Sequence, residues 1–131
     1  MGEPTVEEYL EHLRALPFVR ALTVGSSRST ESTPLELTTP TGEVRLEAVL
    51  ASGPLSYAAA DHLVRRLRAL KNTGILLAPE ISGEMGRHLQ EQGALYLDKQ
   101  GNCNVVLGDA YVAKIEGRRV THRTPRGQTS M

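Results

Sequence analysis

Asp98 and Asn102 are the residues of this chain whose types and spacing most suggest chemistry. Asp98 ends an apolar segment, and Asn102 follows directly after Gly101. A carboxylate and an amide at a strand end could together hydrogen-bond a ligand or coordinate a hard cation through oxygen. The same residues also suit a tight turn, with Asp98 capping it and Asn102 in the left-handed conformation. The pattern predicts a ligand site or a turn, and it favours the turn.

Basic residues form two clusters that could bind phosphates. They are Arg65, Arg66, Arg68 and Lys71 on the outer face of a predicted helix, and Arg118, Arg119, Arg123 and Arg126 near the end of the sequence. Each phosphate contact adds about one unit to the salt dependence of nucleic-acid binding. For the helix cluster, a solvated surface is the alternative. Because 15 basic residues balance 15 acidic ones, nucleic-acid binding would depend on these local clusters.

Metal and thiol chemistry have little support in the sequence. The four histidines lack the spacing of two ligands on one helix face, and we predict that they are surface residues. Cys103 is the single cysteine, which excludes an internal disulfide, and we predict a small buried residue there. The start of the sequence has no apolar segment of the signal-peptide type, and no apolar run has membrane-spanning length. These features favour a reducing, cytoplasmic setting.

Three helices and seven strands are predicted to position these residues. The helices are expected at 6–16, with Thr5 as N-cap and Glu8 as its capping-box partner, at 57–70 after Ser56, and at 82–92. The strands are expected at 19–25, 34–39, 43–50, 74–78, 94–98, 104–107 and 111–116.

The order of these elements predicts an α/β fold. The first three strands form a meander, and the wholly apolar run 74–78 indicates a central strand that is buried on both faces. Strands and helices then alternate, which is typical of a mixed sheet flanked by helices. We therefore expect one α/β domain at 1–116, followed by a basic tail or linker at 117–131.

Two features of the chain resemble a known family. The order of a helix, three strands, a helix and a strand is similar to the core of the restriction-endonuclease-like PD-(D/E)xK fold. The segments Gly74–Pro79, Tyr96–Asp98, Gly101–Asn102 and Ile115–Arg119 resemble the N-terminal domain of AbiEi-family antitoxin-like transcriptional regulators. The resemblance implies a nuclease-like domain of a bacterial regulator, which in that family precedes a winged-helix DNA-binding domain.

The resemblance also implies where a nuclease site would lie. A working nuclease of that fold holds a divalent cation between acids on the second and third strands, with a lysine two residues after the latter. The matching positions here are Glu36 and Glu47, and Val49 stands in place of the lysine. We therefore expect a degenerate site with no catalytic residues, metal or cofactor. Mg²⁺ would be required only if Glu36 and Glu47 were active, with Asp98 as a further acid.

Three functions remain open at this point. The first is a non-catalytic, nuclease-like domain of a transcriptional regulator, which contributes contacts to the DNA backbone, to a second copy or to a partner. The second is a Mg²⁺-dependent nuclease that uses Glu36 and Glu47. The third is a protein-interaction or dimerisation module, which binds through a sheet edge or through the apolar residues around Leu55 and Tyr57 and contacts no membrane.

Overall fold

A seven-stranded mixed sheet and three helices make up the computed structural model, which describes residues 5–25, 32–108 and 110–116. The helices are α1 (Glu7–Arg14), α2 (Tyr57–Arg68) and α3 (Gly83–Glu91). The strands are β1 (Ala21–Val24), β2 (Thr33–Thr39), β3 (Gly42–Leu50), β4 (Thr73–Ala78), β5 (Leu95–Asp98), β6 (Cys103–Leu107) and β7 (Tyr111–Ile115). The predicted α/β class is confirmed. The predicted tail at 117–131, with Arg118 and Arg119, lies outside the described residues.

The strands lie side by side in the order in which they occur along the chain. β1, β2 and β3 form the predicted antiparallel meander, β3, β4 and β5 are parallel, and β5, β6 and β7 are antiparallel. The apolar run predicted to be central is β4, in the middle of the sheet, and its Ile75, Leu76 and Leu77 are fully buried. The last residues of β3, β4 and β5 meet at one edge of the sheet, which we call the carboxyl edge.

The two faces of the sheet support separate cores. Alternate side chains of one face, including Leu46 and Ile75, pack with Leu10 and Leu13 of α1. The side chains of the opposite face pack with α2 and α3 and include Val49, Leu76 and Tyr96. This alternation follows from the two-residue period of strands, and the spacing of apolar residues on each helix matches the face that it covers.

Serine side chains cap the starts of two helices. Ser56 was predicted to cap α2, whereas Ser82 was predicted only as the first residue of the third helix. Ser56 Oγ accepts from the amide of Ala59, and Ser82 Oγ accepts from the amide of Met85, each at 3.1 Å. α1 is preceded by Val6, which has helical angles (φ −61°, ψ −32°) and makes no capping hydrogen bond from its side chain. Thr5 is therefore the last residue before the helical backbone, which is the position predicted for the N-cap.

Part of the predicted capping box is present at the start of α1. The Glu8 carboxylate accepts from the backbone amide of Thr5 at 3.3 Å and from its hydroxyl at 3.4 Å. Among the described residues, none of the helices has the length and apolar character needed to cross a membrane.

Candidate functional site

The turn after β5 is a hairpin turn built around Asp98. The amide of Asp98 donates to the carbonyl of Asn102 at 2.9 Å, and the amide of Gly101 donates to the carbonyl of Asp98 at 3.2 Å. Gly101 has a φ of 95°, whereas among the described residues no residue other than glycine has a positive φ. The predicted left-handed conformation of Asn102 is therefore wrong. Gly101 adopts it instead, because a residue without Cβ enters this region without steric cost.

The Asp98 carboxylate is fully buried and accepts four hydrogen bonds. Oδ1 accepts from the amides of Gln100 and Asn102, both at 2.9 Å. Oδ2 accepts from the amide of Ile81 at 3.1 Å and from Asn102 Nδ2 at 2.8 Å. Through these bonds the carboxylate joins the β5–β6 hairpin to the loop after β4. Because the donors use the lone pairs of both oxygens, the carboxylate is closed to an external ligand.

Helix α1 packs against this hairpin through Lys99. Its Nζ lies 2.6 Å from Glu8 Oε1, and its carbonyl accepts from His12 Nε2 at 2.7 Å. The hydrogen bond from Lys99 lowers the pKa of the Glu8 carboxyl below its usual value. His12, predicted to be an ordinary surface residue, thus contacts a loop 87 positions away. Nothing in the local sequence around His12 indicated that contact.

Tyr9 lies on the buried side of α1 and carries an unsatisfied hydroxyl. The side chain is fully buried, and its hydroxyl has no hydrogen-bond partner among the described residues. Burial, with the negative charges of Glu8 and Asp98, raises the pKa of Tyr9 to about 12. The phenol is therefore neutral over the whole physiological range.

The two acids that the resemblance singles out lie on one face of neighbouring strands. Glu36 of β2 stands opposite Arg45 of β3, whose Nε lies 3.4 Å from Glu36 Oε2. Glu47 of β3 accepts from Ser32 Oγ at 3.0 Å, and from the amide and Nδ2 of Asn72 at 3.1 Å each. Both carboxylates are therefore engaged by protein groups, and Glu47 fixes the turn between α2 and β4.

The position two residues after Glu47 belongs to the core. Val49 is 1% exposed and packs in the cluster under α2 and α3. Within the part of the chain that the structure describes, no group of three His, Cys, Asp or Glu side chains is arranged to hold a metal.

The basic residues of α2 point in different directions. Arg68 donates from Nη2 to the carbonyl of Gln92 at 2.8 Å, beyond the last turn of α3. Arg65 is exposed, and Arg66 is half-buried beside a cavity at the loop after β3. Because consecutive helical residues are turned by about 100°, Arg66 and Arg68 leave opposite sides of the helix. Lys71 is exposed and follows the helix.

A polar cluster joins α2 to α3 and was not predicted. His88 Nε2 lies 2.8 Å from Asp61 Oδ1, and Gln92 Nε2 donates to the same oxygen at 3.1 Å. The hydrogen bond from His88, followed by that from Gln92, lowers the pKa of Asp61. The Tyr57 ring meets the His88 ring edge-on, with centroids 4.8 Å apart. His88 is therefore partnered rather than a plain surface residue, and only the tertiary fold brings Asp61 to it.

A groove opens at the carboxyl edge between the first turns of α2 and α3, and we call it the edge groove. Its cavity volume is about 530 Å³. Its apolar lining is Pro54, Leu55, Tyr57, Pro79 and Met85, and its charged lining is Glu80 and Glu84. The sequence pointed to Leu55 and Tyr57 as an apolar region, but not to its proximity to the loop after β4. The carboxyl ends of parallel strands are where open α/β sheets commonly bind ligands.

Comparison of the chain with protein-family models, with curated proteins and with solved structures finds no match.

Proposed function

We propose that this chain is a non-catalytic, nuclease-like domain of a bacterial, antitoxin-like transcriptional regulator that acts in the cytoplasm by binding DNA backbone or a partner protein. The observation that carries the proposal is the buried Val49. In a nuclease of this fold, a cationic side chain at that position stabilises charge at the phosphate. An apolar side chain packed under α2 and α3 offers no such charge.

The topology supports the nuclease-like part of the proposal. One helix, a three-stranded antiparallel meander, a crossover helix and a parallel strand follow one another as the restriction-endonuclease-like core requires. α1 lies on one face of the sheet and α2 on the other. A fold can host many functions, so the site itself must support the functional step.

The partners of the two acids support the absence of catalysis. A divalent cation between Glu36 and Glu47 would have to compete with Arg45 at the first carboxylate and with Ser32 and Asn72 at the second. The Asn72 interaction includes a backbone amide, which cannot turn away without opening the turn between α2 and β4. The arrangement therefore favours a structural role for Glu47.

DNA binding would depend on the arginine and lysine side chains that have no role within the fold. Arg65 and Lys71 are exposed, whereas Arg68 already donates to the end of α3. Arg118 and Arg119 follow β7 in the sequence and stay candidates for phosphate contacts. We therefore assign the larger share of backbone binding to Arg118 and Arg119.

Fluorescence anisotropy with labelled duplex DNA, measured over a salt series with Mg²⁺ present, tests the proposal. We expect salt-dependent binding and intact DNA on a gel. In Arg118→Gln/Arg119→Gln, the slope of log K against log salt should become shallower by about two units, because two phosphate contacts are lost. The matched control Arg14→Gln/Arg20→Gln removes two exposed arginines around α1 and should leave the slope unchanged.

Two results would overturn parts of this proposal. Mg²⁺-dependent cleavage that disappears in Glu47→Ala would make the chain a nuclease. Absence of binding at low salt would remove the DNA role.

A partner-binding module is the second candidate, and the edge groove favours it. Its apolar lining and its volume of about 530 Å³ are typical of sites that bind small molecules or peptide segments. A dimer or hetero-complex in light scattering, together with no mobility shift of DNA, would support this function over the first.

A further inference from the structure

The edge groove combines an apolar floor with the carboxylates of Glu80 and Glu84. Within the described residues, neither Glu80 nor Glu84 has a hydrogen-bond or ion-pair partner for its side chain. Glu84 lies in the first turn of α3, where a negative charge offsets the helix dipole. With Glu80 added, the lining residues carry two carboxylates and no cationic side chain, while the Arg87 guanidinium lies close to Gly83 just outside the lining. The lining therefore favours a cationic occupant over an anionic one.

The chain leaves the sheet at the edge that carries the groove. Ile115 of β7 pairs with Cys103 of β6, and Cys103 pairs with Leu97 of β5. Glu116 therefore lies at the same height along the sheet as the end of β5, with β6 between them. Gln90 Nε2 lies 3.3 Å from Glu116 Oε2, so the strand ends against the last turn of α3. The first turn, which borders the groove, is about 12 Å away along the helix. Three strand spacings separate β7 from β4, which amounts to about 14 Å.

The sequence after Glu116 has the complementary charge. Residues 117–131 contain four arginines and no aspartate or glutamate. Arg123 is seven residues beyond Glu116 (123 − 116), and an extended chain of that length spans roughly 23 Å, more than the distance required. The second arginine pair, Arg123 and Arg126, can therefore reach the groove, whereas Arg118 and Arg119 follow Glu116 by too few residues to span that distance.

The residues between these two arginines suit an apolar groove. They are Thr124 and Pro125, and a residue before proline favours extended backbone. Extended, proline-containing segments commonly bind in grooves that contain aromatic side chains, and Tyr57 is 51% exposed. An arginine can also stack on a tyrosine ring.

We propose that the edge groove binds the segment Arg123-Thr124-Pro125-Arg126 of its own chain, with the two guanidinium groups paired to Glu80 and Glu84 and the proline packed on the apolar floor. This interaction is independent of the proposed DNA binding. It would give the arginines of the C-terminal segment a site on their own domain.

Paramagnetic relaxation measured on the chain of 131 residues tests the proposal in the absence of DNA. A nitroxide is attached to Ser130→Cys, since the native Cys103 is fully buried and sheltered from the label. We expect line broadening concentrated on the amides of residues 55–57 and 80–85. In Glu80→Gln/Glu84→Gln, the docked-to-free ratio should fall on the order of fivefold, because two exposed ion pairs are lost.

Two matched controls separate the proposed pairs from a general effect of charge. Glu7→Gln/Glu11→Gln removes two exposed glutamates from α1, on the opposite face of the sheet, and should leave the broadening unchanged. Arg118→Gln/Arg119→Gln should also leave it unchanged, whereas Arg123→Gln/Arg126→Gln should remove it. Exchanging the charges, with Glu80→Arg/Glu84→Arg and Arg123→Glu/Arg126→Glu together, should restore it.

The proposal is overturned if broadening is spread evenly over the surface, or if it is undiminished in Glu80→Gln/Glu84→Gln. It is also overturned if nitroxide-labelled chains broaden the amides of chains that carry no nitroxide, since the segment would then occupy a second copy. The amide spectrum of each variant shows whether it is folded. Because the assay contains no DNA, a failure of DNA binding leaves its result unaffected.

Discussion

The Asp98 turn and the Glu36–Glu47 pair both place carboxylates on the sheet, and they differ in what surrounds them. Asp98 is fully buried and accepts hydrogen bonds from four donors. Glu47 is half-buried and accepts from Ser32 and Asn72, while Glu36 has one partly exposed ion pair. Burial and the number of donors therefore determine what each acid contributes to the fold.

The two regions also differ in which parts of the chain they join. Glu47 connects the sheet to the turn after α2. Because Glu47 is only half-buried, water could replace much of its interaction. Asp98 connects the hairpin after β5 to the loop after β4, and α1 covers that hairpin through Glu8 and His12. The carboxyl edge therefore has a rigid base at Asp98 beside the open edge groove. A binding site benefits from such support, because a groove lined by fixed loops loses less entropy on binding.

The largest effect is expected from Asp98→Ala. The substitution removes the acceptor of the buried amides of Ile81 and Asn102, and the loss of an acceptor for buried donors is costly. We expect the free energy of unfolding to fall by about 3–5 kcal/mol, comparable with breaking a buried ionic interaction. Urea unfolding followed by far-UV circular dichroism measures it, since the chain has no tryptophan.

Two further variants make this prediction falsifiable. Asp98→Asn keeps one acceptor oxygen and should lose less stability than Asp98→Ala, so it serves if the alanine variant does not fold. Asp61→Ala removes a carboxylate whose side chain is 43% exposed and should lose less than either. If Asp98→Asn lowered the free energy of unfolding no more than Asp61→Ala does, burial would not explain the difference between these acids.

An intermediate effect is expected at Glu47. Glu47→Ala removes the acceptor for Asn72 and Ser32 and should cost about 1–2 kcal/mol of the free energy of unfolding. The control Glu36→Ala loses one exposed ion pair and should change it by about 0.5 kcal/mol or less. Repeating the wild-type measurement with Mg²⁺ tests for a bound cation, because a cation bound between these acids would stabilise the folded state. Mg²⁺-dependent stabilisation lost in both variants would favour the nuclease function.

The sequence was sufficient to predict the elements and much of their arrangement. The apolar run 74–78 indicated the central strand, and Ser56 and Ser82 marked the starts of α2 and α3. These features depend on local periodicity and capping chemistry, which a sequence carries directly. The hairpin after β5 was also predicted, although its left-handed residue is Gly101 rather than Asn102. Both residue types tolerate that conformation, so local chemistry alone did not decide between them.

The contacts that define the candidate sites were not predictable in the same way. The Asp98 carboxylate binds the amide of Ile81, 17 positions away, and His12 contacts a carbonyl 87 positions away. Neither pair has a spacing that marks it in the sequence. The edge groove forms from two loops that the parallel strands bring together, so only Leu55 and Tyr57 could be singled out beforehand.

The smallest effect is expected at two buried tyrosines, Tyr9 and Tyr96, whose hydroxyls are neutral rather than charged like the carboxylates. The Tyr9 hydroxyl has no partner among the described residues, whereas the Tyr96 hydroxyl accepts from Gln90 Nε2 at 3.0 Å. Tyr9→Phe should therefore raise the free energy of unfolding by about 1 kcal/mol, and Tyr96→Phe should lower it by a similar amount. Chemical unfolding of the two variants and the wild type at neutral pH measures both signs.

Alkaline pH provides a second measurement of the Tyr9 prediction. Folding raises the pKa of Tyr9 from 10.0 to about 12, so the folded state holds this proton more tightly than the unfolded state. The resulting stabilisation is fully present below pH 10 and is lost as the pH rises toward 12. Tyr9→Phe removes that loss, and its advantage over the wild type should grow across this interval. A constant difference between the two proteins over the interval would show that Tyr9 ionises as easily when folded as when unfolded.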